Sequence, residues 1–588
     1  MDIGNLYRVG CRRVLKELLR FAEFMPNELY VFDRFTLDVT ERRLTDGNRP
    51  MALEPKTFDV LTALVRSAGR LVGKRHLLDE IWPGSFVAEG ILSVHVARLR
   101  TALGGGKDGA RYIETVPRSG YRFVATPATV AVPKRDEPPS IAVLPFADLS
   151  AGKDHEWFSD GLSEEIINAL THVPGLKVIA RTSAFTFRGG HHEVSRVASA
   201  LHVRTILEGS VRRAGDRIRV TAKLISAQDG CLLWSERYDR ELTDIFAIQD
   251  DIARAIASAL QVRFSDAPST LRYTPTLPAY DAYLKGRHYL YKLTAESMAR
   301  SRQCFEQAID LDPAFVVAHV GLTEYFFTVG NMGGQNEAAP RARLSAQRAL
   351  DLDPATPHAH ALLAMVASTY DFNWSEVDRE FRLAMASEPV TPFVRDMYGA
   401  FYLLQAGRVE EGGRQIEQAL REDPLNLLFR IQFGIYLLAA GKDADAATHF
   451  LQVLEMDPNY PLACIWLCVV SVLRGLIDEA RRYAEQAFSL VPSPLFMGVL
   501  AGVARRGGDR NRAEQLVAQL QSEDAAGTSI GLALHHLMCL EIDEALAYFE
   551  TAIARHDAMA MLPVLFRRFC ASSPRWPSAA KALNLRQT

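Results

Sequence analysis

Cysteine is scarce in this chain: seven residues in 588, namely Cys11, Cys231, Cys304, Cys464, Cys468, Cys539 and Cys570. They are scattered, odd in number and without CxxC spacing, which excludes a disulfide framework and a zinc ribbon. Cys464 and Cys468 stand four apart and could share a helix face, but no His or further Cys completes a metal site. They read as small buried hydrophobes in a reducing, cytoplasmic setting. Long apolar runs are also missing: none reaches the ~18 residues of a membrane span, so no membrane association is expected. Net charge is only −3, so any polyanion site must be local. No Walker loop, GxSxG elbow or HExxH motif occurs. Ser183 and the His191-His192 pair stand alone, without the partners of a catalytic constellation. The expectation is a chain that is not an enzyme and needs neither cofactor nor metal.

At this length, with 48% apolar and 23% charged residues, several domains can each bury a core. Two proline-rich stretches, 126–139 and 265–277, read as linkers. The expected division is an extension (1–26), a first domain (27–125), a linker (126–139), a second domain (140–264), a linker (265–277) and a long third region (278–588). The extension holds a basic amphipathic segment, Cys11 to Arg20. It reads either as a surface helix or as an artefact of start-site choice, since Met25 stands just before the first strand.

In the first domain, short alternating runs at 30–32, 35–37 and 43–45 read as strands. Helices follow over 55–67, where Pro55 suits the first helical position, and over 74–82, where Pro83-Gly84 supplies the stop. A third helix, Ile91 to Leu103, sets Leu92, Val96, Leu99 and Leu103 on one face and turns Ser93, Ala97, Arg98 and Thr101 away. A hairpin then runs from Tyr112 to Phe123 over a Pro117-Arg118-Ser119-Gly120 tip, where Gly120 reads as supplying a positive φ. A helix bearing arginines beside a hairpin with an arginine at its tip can grip DNA twice, in the major groove and at the backbone or minor groove. The segment 27–126 carries fifteen Lys and Arg against twelve Asp and Glu, a small excess, so placement matters more than total.

Four blocks carry a resemblance: Leu53-Glu54-Pro55-Lys56-Thr57-Phe58-Asp59-Val60-Leu61, Leu77-Leu78-Asp79-Glu80-Ile81-Trp82-Pro83, Val94-His95-Val96-Ala97-Arg98-Leu99-Arg100 and Gly120-Tyr121-Arg122-Phe123. In this order and spacing they resemble the OmpR/PhoB-type winged-helix effector domain. The resemblance implies binding to double-stranded DNA, usually by paired copies on repeated half-sites, which leaves a homo-oligomer open. At least one of Arg98 and Arg100 is the expected phosphate contact, and Ser93, Val94 and Ala97 are the expected base-facing residues. His95 reads as either a phosphate contact or a half-buried side chain. Arg118 and Arg122 are expected on the wing, with Tyr121 in packing, and Lys74 against the backbone. Gly90 and Ala97 stand where several family members carry arginine, and Pro117 replaces a basic residue. Their operator preferences therefore do not transfer, and weaker nonspecific affinity is expected. Only about 26 residues precede the domain, so no phospho-acceptor domain is expected ahead of it.

The second domain reads as mixed α/β. Strands are expected at 141–146, 178–180, 205–211, 217–225 and 232–238, and helices at 194–201, at 245–260 and from an N-cap at Asp160 or Ser163 to about Leu170. The blocks Ile141 to Phe146, Phe158 to Glu165 and Glu208 to Val211 look like the TolB amino-terminal-type domain, which implies an interaction or sensing module. In the third region Pro313, Pro354, Pro389, Pro424, Pro458 and Pro492 are spaced 41, 35, 35, 34 and 34 apart. A period near 34, with small residues at fixed offsets, resembles the tetratricopeptide pattern. Six repeats end in these prolines, and two weaker ones follow around Ala513 and Ala545. The 41-residue gap reads as an insertion near Gly330 to Gly334. Such a solenoid generally offers a groove to a protein or peptide partner.

The fold class expected is therefore multidomain: a winged helix-turn-helix (α+β), a mixed α/β TolB-like domain and an all-α TPR solenoid. The architecture resembles soluble relatives of CadC-like and HilA-like regulators. The leading reading is a DNA-binding transcriptional regulator whose α/β and TPR regions receive a protein or small-molecule signal. The rival readings are a TPR scaffold whose winged helix mediates protein interaction, and a signalling accessory protein.

Overall fold

The computed structural model describes residues 28–39, 43–47, 49–51, 53–81, 90–104, 112–117, 119–125, 127–131, 138–150, 156–189, 192–215, 217–241, 245–260, 262, 273–292, 295–330, 335–522, 527–557 and 559–585. The readings that fall on 1–26, Trp82, Pro83-Gly84, Arg118, His191 and 331–334 lie outside these residues. The chain divides into two compact units, Met1–Glu137 and Pro138–Thr588.

The first unit opens with an antiparallel meander of β1 (Glu28–Phe32), β2 (Phe35–Asp38), β3 (Arg43–Asp46) and β4 (Arg49–Met51). Three helices follow: α1 (Pro55–Arg66), α2 (Lys74–Ile81) and α3 (Gly90–Ala102). Pro55 occupies the first turn of α1, where its fixed φ helps and its missing N–H costs nothing. Strand β5 (Leu71–Gly73) pairs with β7 (Gly120–Phe123), which pairs in turn with β6 (Ile113–Val116). One expectation fails here. Residues 128–131, read as linker, form β8 (Ala128–Ala131) on the free side of β1. The flanking prolines Pro127 and Pro133 hid its short alternation. The core is aromatic at its centre, with Phe123 edge-on to Phe32 at 5.0 Å and Tyr112 edge-on to Phe35 at 5.6 Å.

The second unit begins with a mixed sheet of β9 (Ser140–Val143), β10 (Ala147–Asp148), β11 (Lys177–Val178), β12 (Thr205–Ala214), β13 (Arg217–Ser226) and β14 (Leu232–Glu241). Its order is β11-β9-β12-β13-β14, with β10 on β12. The helices of this region are α4 (Glu156–Thr171), α5 (Arg181–Ala184), α6 (Val194–Leu201) and α7 (Ile245–Ala259). The expected cap at Asp160 or Ser163 is wrong: α4 starts at Glu156 and both residues lie inside it, buried. Phe158, Leu162, Ile166 and Leu170 recur every four residues, so the apolar face simply extends one turn upstream.

Eight helix pairs follow, from Leu277–Leu290 with Ala295–Leu311 to Thr528–Met538 with Ile542–Ala554. Close approach sets the small residues: a Cβ at Gly434 would lie 2.3 Å from the Phe450 ring of its partner helix. Three short helices close the chain and turn back on the array. The Trp374 indole donates to the Leu583 carbonyl at 2.7 Å, and Arg568 pairs with Asp443 at 2.6 Å. The sheet and the first repeats share one apolar core, in which Leu162, Ile166, Val220 and Ile252 pack with Tyr280, Tyr283, Leu284 and Phe305. Among the described residues no helix is long and apolar enough to cross a membrane.

Candidate nucleic-acid interface

Helix α3 is two-faced. Leu92, Val96 and Leu99 are essentially inaccessible, while Ser93, Val94, Ala97, Arg98 and Thr101 are exposed. Val94 is 50% exposed at mid-helix, an apolar side chain with no core to enter. The surface between Ser93 and Ala97 is low and lacks long side chains, so another molecule can approach closely.

Two contacts fix α3 against the hairpin. Ser93 Oγ lies 3.2 Å from the Tyr121 hydroxyl, and the Arg100 guanidinium donates to the Ile113 carbonyl (2.6 Å) and to Thr115 Oγ1 (2.8 Å). Arg100 is therefore a brace between helix and wing, which leaves Arg98 as the arginine of the pair on the outer face. Of the two readings of His95, the structure has burial. It is buried, three residues after Leu92 and four before Leu99, with Nδ1 2.8 Å from Thr57 Oγ1. Burial first, and the Arg98 charge second, push its pKa down, against a smaller pull from Glu54. A neutral, inward imidazole offers nothing to a phosphate.

Arg98 pairs with Glu54, both about half exposed, a weak attachment that a phosphate can replace. Arg122 pairs across the hairpin with Glu114 at 3.2 Å. Lys74 is half-buried at the start of α2. Arg75, next to it, and Arg70 are exposed as well. Gly120 is needed, but not for the turn geometry expected: its φ is not positive. A Cβ there would sit 2.0 Å from the Val72 carbonyl oxygen of β5, so glycine permits the strands to close.

Residues 48–123 match the family described as "Transcriptional regulatory protein, C terminal". The first domain is an OmpR/PhoB-type winged helix. Behind this winged helix, residues 137–255 match the "HilA/YgeH-like transcriptional regulator, second domain". The "Transcriptional regulator HilA" of Salmonella typhi is 26% identical over 68% of this chain and 71% of its own. The "Putative adenylate cyclase 3" of Rhizobium meliloti (strain 1021) is 38% identical over 35% of this chain, and the match spans about a third (36%) of that protein. The solved DNA-binding domain of E. coli CadC is 22% identical with TM-score 0.17, covering 18% of this chain and 99% of that one.

Within the second unit, a polar seam joins the HilA-type region to the solenoid. Arg287 of the first repeat bridges Glu164 of α4 (2.7 Å) and Glu324 of the second repeat (2.9 Å). Arg181 also reaches Glu164, at 3.1 Å, and lies over the rings of Phe185 and Tyr291. Ser183 is not isolated. Its N–H donates to Asp423 Oδ1 at 2.9 Å, its hydroxyl donates to the same oxygen, and it accepts from the Leu425 N–H at 2.8 Å. Near this contact Asp396 is fully buried, with neither carboxylate oxygen hydrogen-bonded among the described residues. Burial, and secondly the Asp423 charge, push its pKa far up, so the carboxyl is held neutral. A group whose folded pKa is raised contributes most below its unfolded value and loses that contribution as pH rises. Asp396→Asn, neutral at every pH, should therefore raise the unfolding free energy at pH 7 by about 1–3 kcal/mol, with the gain shrinking toward pH 4. Unfolding curves at the two pH values check this.

Proposed function

We propose that the chain is a cytoplasmic, DNA-binding transcriptional regulator. In this reading α3 lies in the major groove, with Ser93, Val94 and Ala97 toward base edges. Arg98 exchanges Glu54 for a phosphate, and Arg118, Arg122, Lys74 and Arg75 meet the flanking backbone. The observation that carries it is the bare, half-apolar outer face of α3 around the exposed Val94, framed by a braced hairpin. Family matches to regulatory proteins over both the first domain and the second support it. Small side chains at Val94 and Ala97 favour contact with thymine methyl groups over bidentate hydrogen bonding.

The HilA-type region and the repeats act together as the receiver of a protein or peptide signal. The seam from Glu164 to Asp423 supports this, because a partner displacing it alters both parts at once. The relative named as an adenylate cyclase does not change the reading: that match spans 36% of its length. Nucleotide turnover by the purified chain would overturn it.

Selecting bound duplexes from a random pool tests the DNA assignment. Arg98→Ala should weaken binding about tenfold across all selected sequences and reduce the salt slope by roughly one. Unchanged affinity in Arg98→Ala, Arg118→Ala and Arg75→Ala together would place the DNA face elsewhere.

A further inference from the structure

The sheet of the second unit ends on β14. Its inner edge pairs with β13 along its length, with one register shift at Leu233, and no strand among the described residues covers its outer edge. Of its ten residues only Tyr238 is buried, and Leu232 and Leu233 are 57% and 48% exposed. Proteins usually guard such an edge with a short strand, a proline, a bulge or charged side chains, and charges keep a second copy away only where like meets like. Strand β14 is long and has no proline, its bulge lies at Leu233 and leaves 234–241 regular, and its charges alternate in sign: Glu236, Arg237, Asp239, Arg240, Glu241.

The order of those charges is self-complementary. Antiparallel bonding joins residues whose backbone groups face the same way, so a strand meeting its own copy must centre on a residue. Centred on Glu236, Arg237, Asp239, Arg240 or Glu241, that residue faces its own like charge. Centred on Tyr238, Arg237 meets Asp239 and Glu236 meets Arg240, each pair twice by symmetry, with Ser235 opposite Glu241. This register pairs opposite charges and opposes no like ones. Local contacts support it. Arg219 and Arg217 hold Asp239 from β13, at 2.5 and 3.3 Å, and the Tyr238 hydroxyl donates to Glu236 at 3.0 Å. Arg240 lies 4.0 Å from Asp251 of α7, an exchangeable pair.

We propose that β14 is a homodimer surface: two copies of this chain join their sheets antiparallel about Tyr238, closing both edges. The interface is isologous, as two-fold dimers require. It goes beyond the DNA-binding reading and is tested without DNA.

Sedimentation of the full chain over a concentration series reads it. The unaltered protein should dimerise. Glu236→Arg sets arginine against arginine and Arg240→Glu sets glutamate against glutamate, so each variant alone should dissociate about tenfold more readily. Mixing the two variants restores both opposite pairs, and the mixture should dimerise as a heterodimer. That recovery also shows that both variants fold. A monomeric unaltered chain, single variants that dimerise unchanged, or a mixture that stays monomeric would each overturn the proposal.

Discussion

Gly120→Ala should weaken DNA binding by at least about tenfold by opening the wing, although the added group is a single methyl. The new Cβ would lie 2.0 Å from the Val72 carbonyl oxygen, 2.9 Å from its carbon and 3.0 Å from the Gly73 Cα. All three are backbone atoms of β5, so no rotamer change relieves the clash. The strands must part where Gly73 faces Gly120. The cost is about 3 kcal/mol, the upper part of the range for overpacking. Tyr121 would move with β7 and draw its hydroxyl from Ser93 of α3. Thermal unfolding should show the first transition lowered, and duplex affinity should fall at least about tenfold. A variant with unchanged melting and binding would mean that β5 and β7 do not approach as closely as described.

Arg287→Ala should destabilise the second unit more than any surface change. The guanidinium lies between two carboxylates, and the three side chains are each at most one-fifth exposed. Burial alone would raise the Glu164 pKa, but the charges of Arg287 and Arg181 outweigh it and hold the carboxyl below its usual range. The stabilisation is therefore present above the unfolded glutamate value and lost as pH falls through the lower folded one. Removing Arg287 leaves Glu164 with Arg181 alone and takes the bridge from Glu324, at a cost of about 3 kcal/mol, the lower part of the range for a broken buried pair. With one of its two cations gone, Glu164 would lose part of the pull that holds its pKa down, so the deficit of the variant should narrow as pH falls from 7 toward 4. Unfolding midpoints across that range measure it. A deficit independent of pH would assign the loss to packing against Tyr291 instead.

Much of the first domain was legible because its signals are local. Leu92, Val96 and Leu99 mark the buried stripe of α3 through spacing alone, and Pro55 marks where α1 begins. His95 was equally legible: it falls on the same stripe, and its chemistry distracted from its position. The roles of Arg100 and Gly120 depend on what stands opposite them, Ile113 and Val72, and spacing along a chain says nothing about that. The repeats showed through their prolines, since each marks the end of a helix pair. The seam did not. Ser183 and Asp423 lie 240 residues apart, and Glu164 and Arg287 lie 123 apart. No periodicity links such pairs, so Ser183 looked like a lone serine.

The α/β region is fastened to the repeats by a shared core and by the Glu164–Arg287–Glu324 bridge. Separating Ser183 from the repeats would release Asp423, and that buried acid would then meet water. Its pKa is raised by burial, so release should become easier as pH rises.

The most direct test of the central claim is the salt dependence of duplex DNA binding by the full chain. The expected result is measurable affinity at roughly 50 mM salt, falling linearly on a log–log plot by about 0.9 per phosphate engaged, with three to five phosphates engaged. No affinity at low salt, or an affinity indifferent to salt, would contradict the assignment of α3 and its wing to DNA.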